Sequence, residues 1–143
     1  MIKLGDIMNR KVHSIHPMAS VKGAADLMRS LDLSVLPVCQ DGKILGVIAD
    51  RDMTVHIAAT GRDPGTTFVK DILNPKVAIL SEDDSLQAAE RIMEEKGSHW
   101  IFVTDQDRTL VGIVSLGKVA RKDNPKAAGN IVRKISRSRR NVG

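Results

Sequence analysis

Few residue groups in this chain of 143 are arranged to carry chemistry. The most suggestive is Ile48-Ala49-Asp50-Arg51-Asp52, where two acids fall at the expected start of a helix. A carboxylate held there accepts from both hydroxyls of a cis-diol, and the free N–H groups of the same turn favour a phosphate. Taken alone, Asp50 and Asp52 read first as acids that the helix dipole favours in a first turn. A later counterpart, Ser115-Leu116-Gly117-Lys118, offers a hydroxyl and a cation instead. An ammonium only donates, so Lys118 cannot accept from ribose hydroxyls; it suits a phosphate, or simply begins a basic tail. Trp100 could stack on a purine, although one large aromatic in a small core, like the lone His99 beside it, is ordinarily structural. His13 and His16, three apart on an expected strand, point to opposite faces and should not share a metal. Cys39 has no CxxC partner and reads as a small buried residue. With no nucleophile–base pair, metal constellation or Walker-type glycine loop, the chain reads as a non-enzyme that needs no cofactor or metal.

The elements that hold these groups are written twice. Asp6-Ile7-Met8-Asn9-Arg10-Lys11-Val12 lies 65 residues before Asp71-Ile72-Leu73-Asn74-Pro75-Lys76-Val77. At the same offset Ser20, Ala24 and Met28 match Ser85, Ala89 and Met93. One inserted residue then aligns Ile44–Ile48 with Leu110–Val114. Each copy should open with a short strand, Val12–Ile15 and Val77–Leu80. Ser20 and Ser85 are expected N-caps of amphipathic helices, the second stopped at Gly97. Hairpins follow: Val35–Cys39 turning at Asp41-Gly42 into Ile44–Ala49, and Ile101–Thr104 turning at Asp105–Arg108 into Leu110–Ser115. Closing helices run from Asp50 to Thr60, with Gly61 as stop, and from Leu116 to Lys122. Arg62–Thr67, with Pro64 and Gly65, links the copies as a loop. A last amphipathic helix, through Ala127, Ala128, Ile131, Val132 and Ile135, is expected after Asn124-Pro125. The fold class is therefore α+β: two βαββα repeats, at 3–62 and 68–122, followed by a basic C-terminal helix and tail at 123–143. Neither copy could bury much surface alone, so the two should pack about a pseudo-twofold axis.

Composition narrows the class further. Apolar residues at 42% and charged residues at 27% exclude general disorder. One cysteine and a start without an apolar h-region suggest a reducing, cytoplasmic setting, and no run is long enough to span a bilayer. Three aromatics and no tyrosine argue against a stacking platform for single-stranded nucleic acid. The net charge of +5 divides unevenly: residues 1–117 carry net −3, and residues 118–143 carry net +8. Arg133, Lys134, Arg137, Arg139 and Arg140 could neutralise phosphates weakly and without sequence preference. Met53, Ile57, Val119 and Ala120 on the closing helices look like apolar surplus for a homodimer.

Asp6-Ile7-Met8, Leu36-Pro37-Val38 and Gly46-Val47-Ile48-Ala49-Asp50-Arg51-Asp52 recur more loosely as Lys70-Asp71-Ile72-Leu73 and Gly112-Ile113-Val114-Ser115. In order, spacing and duplication the chain resembles the tandem cystathionine-β-synthase (CBS) domain family, the CBS pair or Bateman module, over about residues 3–122. The resemblance implies a regulatory module that binds an adenosyl compound (AMP, ATP, NAD or S-adenosylmethionine) in a cleft between the repeats. It signals by a change of conformation or of homodimer contacts. The family's ribose motif is an apolar residue, any residue, Ser or Thr, two of any kind, then Asp or Asn. Asp52 fits it while Ala49 lacks the hydroxyl; Ser115 fits it while Lys118 replaces the acid. The implied first site is Val12, His13, Ser14, Ile15, Ser34, Leu36, Pro37, Ala49, Arg51 and Asp52, with Lys118 and Arg121 reaching the phosphate. A weaker second site follows from Val77, Ile79, His99, Ile101, Phe102 and Ser115. Leu36-Pro37 and Ile101-Phe102 would wall the base pockets, with backbone of the first strands meeting the base. Two other readings stay open: a nucleic-acid-binding adaptor acting through its basic tail, and a dimeric scaffold without a ligand.

Overall fold

The computed structural model describes residues 1–122, so the expected helix after Asn124 lies outside the described residues. The chain divides into two compact units. One is His13–Val77; the other joins Met1–Val12 to the described residues from Ala78 to Lys122.

In the first unit, α1 (Val21–Leu31) begins at Ser20, whose hydroxyl accepts the Gly23 N–H at 3.0 Å. It ends on Asp32 in the left-handed region, at φ 53°, a conformation that aspartate tolerates better than most residues. Val21, Ala24 and Met28 face inward against Leu36, Val38 and Ile48. These last three come from the antiparallel hairpin of β1 (Val35–Gln40) and β2 (Lys43–Ala49). Asp41 and Gly42, both at positive φ, make its turn, as two-residue hairpins require. The closing segment is α2 (Asp50–Met53) running into a π-helical turn, Thr54–Ala58, rather than one uniform α-helix. The Ala59 N–H reaches back to the Thr54 carbonyl at 2.9 Å, and Gly61 at φ 73° ends the run.

The second unit repeats the plan. Between them β3 (Ile79–Ser81), α3 (Leu86–Lys96), β4 (Trp100–Thr104), β5 (Leu110–Ser115) and α4 (Leu116–Lys122) form a three-stranded sheet with two helices. Ser85 caps α3 through the Ala88 N–H at 3.1 Å, and Gly97 at φ 60° stops it. β3 runs parallel to β4, which pairs antiparallel with β5.

Three expectations need correction. The strand expected at Val77–Leu80 lies at Ile79–Ser81. The strand expected at Val12–Ile15 is reduced to one bridge, Ile15 to Val38. Its cause is Pro37. In the second unit Phe102 donates its N–H to the Ala78 carbonyl at 2.9 Å. Pro37 stands in the equivalent place without an N–H, so the matching bond to His13 cannot form. Finally, Val119 is no surface surplus: it is fully buried in the core of its own unit with Leu4, Ala89, Met93 and Ile101.

The opening residues of each sequence copy pack on the hairpin of the other. Asn9 and Ile113 exchange both backbone hydrogen bonds at 2.9 and 3.0 Å. Asn74 and Val47 do the same at 2.8 and 2.9 Å. These crossings explain two glycines. A Cβ on Gly46 would sit 2.6 Å from the Asn74 carbonyl oxygen, and a Cβ on Gly112 would meet the Met8 side chain.

Candidate functional site

Within each unit the hairpin delivers its last residue directly into the closing helix. Val35 pairs with Ala49, and Trp100 with Ser115. The Asp50 N–H donates to the Ser34 carbonyl at 3.1 Å, and the Leu116 N–H donates to the His99 carbonyl at 2.8 Å. Ser34 is thereby placed beside Ala49–Asp52, and His99 beside Ser115–Lys118.

At the first of these turns Asp52 curls back and accepts the Ala49 N–H at 2.8 Å. This is the acid half of a capping box; Ala49 has no hydroxyl to supply the other half. The Asp52 carboxyl is half-buried, and burial raises its pKa from the ordinary aspartate value against the opposing Ala49 hydrogen bond and the His56 charge. Arg51 is exposed. At the second turn Ser115 accepts the Lys118 N–H at 3.1 Å, which is the hydroxyl half of the same box. The two turns carry complementary halves of one motif.

The backbone entering the first unit, His13–Ile15, follows the reduced strand, with the Ile15 N–H on the Pro37 carbonyl at 3.0 Å. Ser14 sits against the buried Cys39, whose thiol pKa burial raises while the Ser14 hydrogen bond lowers it. Leu36 and Ile101 are fully buried in the cores of their own units, so they back the strands rather than line an open wall. Pro37 and Phe102 are buried as well. Val77, the last residue of the first unit, is buried, and Ile79 is partly buried on β3.

Lys118 and Arg121 share the second unit with Val12 and Ser115, whereas His13, Ser14, Ile15, Ser34, Ala49, Arg51 and Asp52 belong to the first. Together with Ile7, Asn9, Trp100, Ile113 and Ser115, the two cations line a pocket of about 240 Å3. Sequence reasoning missed Asn9, Ile7 and Ile113 here. The signal was the paired Asn9 and Asn74 of the duplication, each of which accepts the N–H two residues on, at 3.0 and 2.9 Å. A larger depression of about 420 Å3 is lined by Arg62, Thr66, Thr67 and Asp71 of the connecting loop. It contains none of the expected residues. Among the described residues no three His, Cys, Asp or Glu side chains gather as metal ligands, and no helix is long and apolar enough to cross a membrane.

The duplicated turn, hairpin and closing helix agree with family comparison, in which the CBS domain model matches twice, at residues 4–59 and 69–124. The chain belongs to the CBS domain family. It is 30% identical over 137 residues to the CBS domain-containing protein YhcV of Bacillus subtilis, covering 95% of this chain and 96% of that protein. It is 32% identical to Hypoxic response protein 1 of Mycobacterium tuberculosis, covering 81% of each chain. That protein has been solved with two coordinated zinc ions; the structure has a TM-score of 0.78 and covers 86% of this chain and 100% of that one. CBSX2 of Arabidopsis thaliana, solved in complex with AMP, gives a TM-score of 0.73 at 25% identity, covering 85% of this chain and 96% of its own. In this CBS pair the two turns divide one capping motif: the acid stands at Asp52 and the hydroxyl at Ser115.

Proposed function

We propose that this CBS pair is a regulatory, non-catalytic module that binds an adenosyl nucleotide of the AMP, ATP, NAD or S-adenosylmethionine class. Binding shifts its conformation or dimer contacts, by as much as the ligand's affinity differs between the two states. The observation that carries this reading is the Asp52 turn. It is a half-buried carboxylate beside Ser34, in the unit whose His13–Ile15 backbone is left mostly outside the sheet by Pro37. Such backbone is open to a base, and such a carboxylate to a diol. That CBSX2, a structural relative, holds AMP supports the ligand class.

The module works without a required cofactor, in the cytoplasm and as a homodimer. The exposed Val55, Met18 and Phe68 support the dimer, whereas Met53 and Ile57 pack partly against the core of their own unit. Light scattering should return twice the chain mass, and a mass of 15.6 kDa at micromolar concentration would remove the dimer. A thermal-shift panel of AMP, ATP, NAD and S-adenosylmethionine tests the ligand. At a hundredfold excess over Kd, binding should stabilise the fold by about 2.7 kcal/mol. A melt unmoved by all four at millimolar concentration favours the ligandless scaffold. The net +8 of residues 118–143 supports a second, minor activity: weak nucleic-acid contact that falls steeply with salt and disappears on truncation after Lys122.

A further inference from the structure

The pocket of the second unit is built from donors. Ser115 Oγ already accepts the Lys118 backbone N–H, which leaves its own proton to donate outward. Asn9 Oδ1 likewise accepts the Lys11 N–H, and the amide NH2 group adds two donors. Lys118, Arg121 and the Trp100 indole N–H can only donate. Among the described residues no carboxylate lines the pocket and neither cation enters an ion pair. Arg121 and Ser115 also converge on one spot. A Cβ built on Gly117 would stand 3.9 Å from both Arg121 Nη1 and Ser115 Oγ, with nothing nearer. The glycine leaves that space open.

A ribose diol carries two protons that need acceptors, and this lining offers only the second lone pairs of two neutral oxygens, Ser115 Oγ and Asn9 Oδ1, with two cations beside them. A phosphate monoester carries only acceptors at neutral pH and matches a lining of donors and cations. Dinucleotide-binding sites make the same exchange: an acid holds a free ribose hydroxyl, and a cation in its neighbourhood accommodates a ribose phosphate. We propose that the second unit's pocket selects adenosyl nucleotides that carry a further phosphate on the ribose diol, at the 2′ or 3′ oxygen, held by Lys118, Arg121 and Ser115 beside Trp100. The proposal rests on the adenosyl reading above and names the ligand of one of its sites.

Trp100 is the chain's single tryptophan, so its fluorescence reports this pocket alone. Titrations pair NADP with NAD, then adenosine 2′,5′-bisphosphate and adenosine 3′,5′-bisphosphate with AMP. Within each pair only the ribose phosphate differs, and the two bisphosphates distinguish its position. One ribose phosphate should tighten binding about tenfold or more, the weight of a charge-assisted hydrogen bond. Lys118→Asp should reverse the order, because it completes the Ser-x-x-Asp motif and restores the acceptor. The variant keeps the backbone N–H that Ser115 accepts, and an acid suits a first turn, so it should fold. Lys118→Met should lose the preference without reversing it. Equal or tighter binding of the unphosphorylated member by the wild type overturns the proposal, as does a preference that survives Lys118→Asp. If NAD and AMP bind and stabilise the chain while the ribose phosphate adds nothing, only this proposal fails. If no nucleotide moves either fluorescence or melting, the adenosyl reading fails with it.

Discussion

The two units run the same elements in the same order and differ at the turn into the closing helix. One keeps the acid of the motif and folds it onto Ala49; the other keeps the hydroxyl and spends it on Lys118. Each half satisfies one N–H of the turn, so each helix starts with roughly half a capping box. The lesson is that a motif can be divided between duplicated copies without loss of fold. What diverges is the chemistry each turn presents: an acceptor in one unit and a set of donors in the other.

The largest expected effect probes how rigidly each hairpin is crossed. Gly46→Ala drives a Cβ against the Asn74 carbonyl, which is backbone and cannot step aside. It should cost about 2–3 kcal/mol in a denaturant melt. Gly112→Ala meets mainly the flexible Met8 side chain and should cost about 1 kcal/mol. Equal costs would mean that the two crossings are equally stiff.

Next come the half-caps. Ser115→Ala should lower stability by about 1 kcal/mol. Asp52→Ala loses a similar cap but also relieves the burial of a carboxylate, so its cost should be smaller. Asp52→Asn separates the two contributions, because its amide oxygen can still accept the Ala49 N–H. The folded state holds the Asp52 proton more tightly than the unfolded chain does, so ionisation weakens the fold. Wild type should therefore lose stability relative to Asp52→Asn as pH rises from about 4 upward, and the two should converge below it. Melts that diverge as pH falls would show the opposite shift.

Much of this was legible in the sequence because it is local. Ser20 and Ser85 cap their helices, Asp41-Gly42 makes its turn and Gly97 its stop, each through its own backbone chemistry. What escaped was decided at a distance. Val119 belongs to a core that only the assembled unit defines. The exchange of Asn9 and Asn74 between hairpins cannot be read from either copy alone. The two turns were legible at Asp52, Ser115 and Lys118, while the donors gathered around Trp100 needed the fold. Pro37 was readable in principle, since its missing N–H unravels the strand at His13–Ile15. Pro37→Ala restores the donor, and the amide of residue 37 should become protected in hydrogen exchange, with little net change in stability. Fast exchange there would show that something else holds His13–Ile15 out of the sheet.

The central claim is that the acceptor at Asp52 and the donors around Lys118 make the two units unequal toward a nucleotide with a free ribose diol. Isothermal titration of AMP measures this directly. One molecule should bind per chain, lost in Asp52→Ala and retained in Ser115→Ala. Binding that is indifferent to Asp52→Ala but lost in Ser115→Ala would contradict the account.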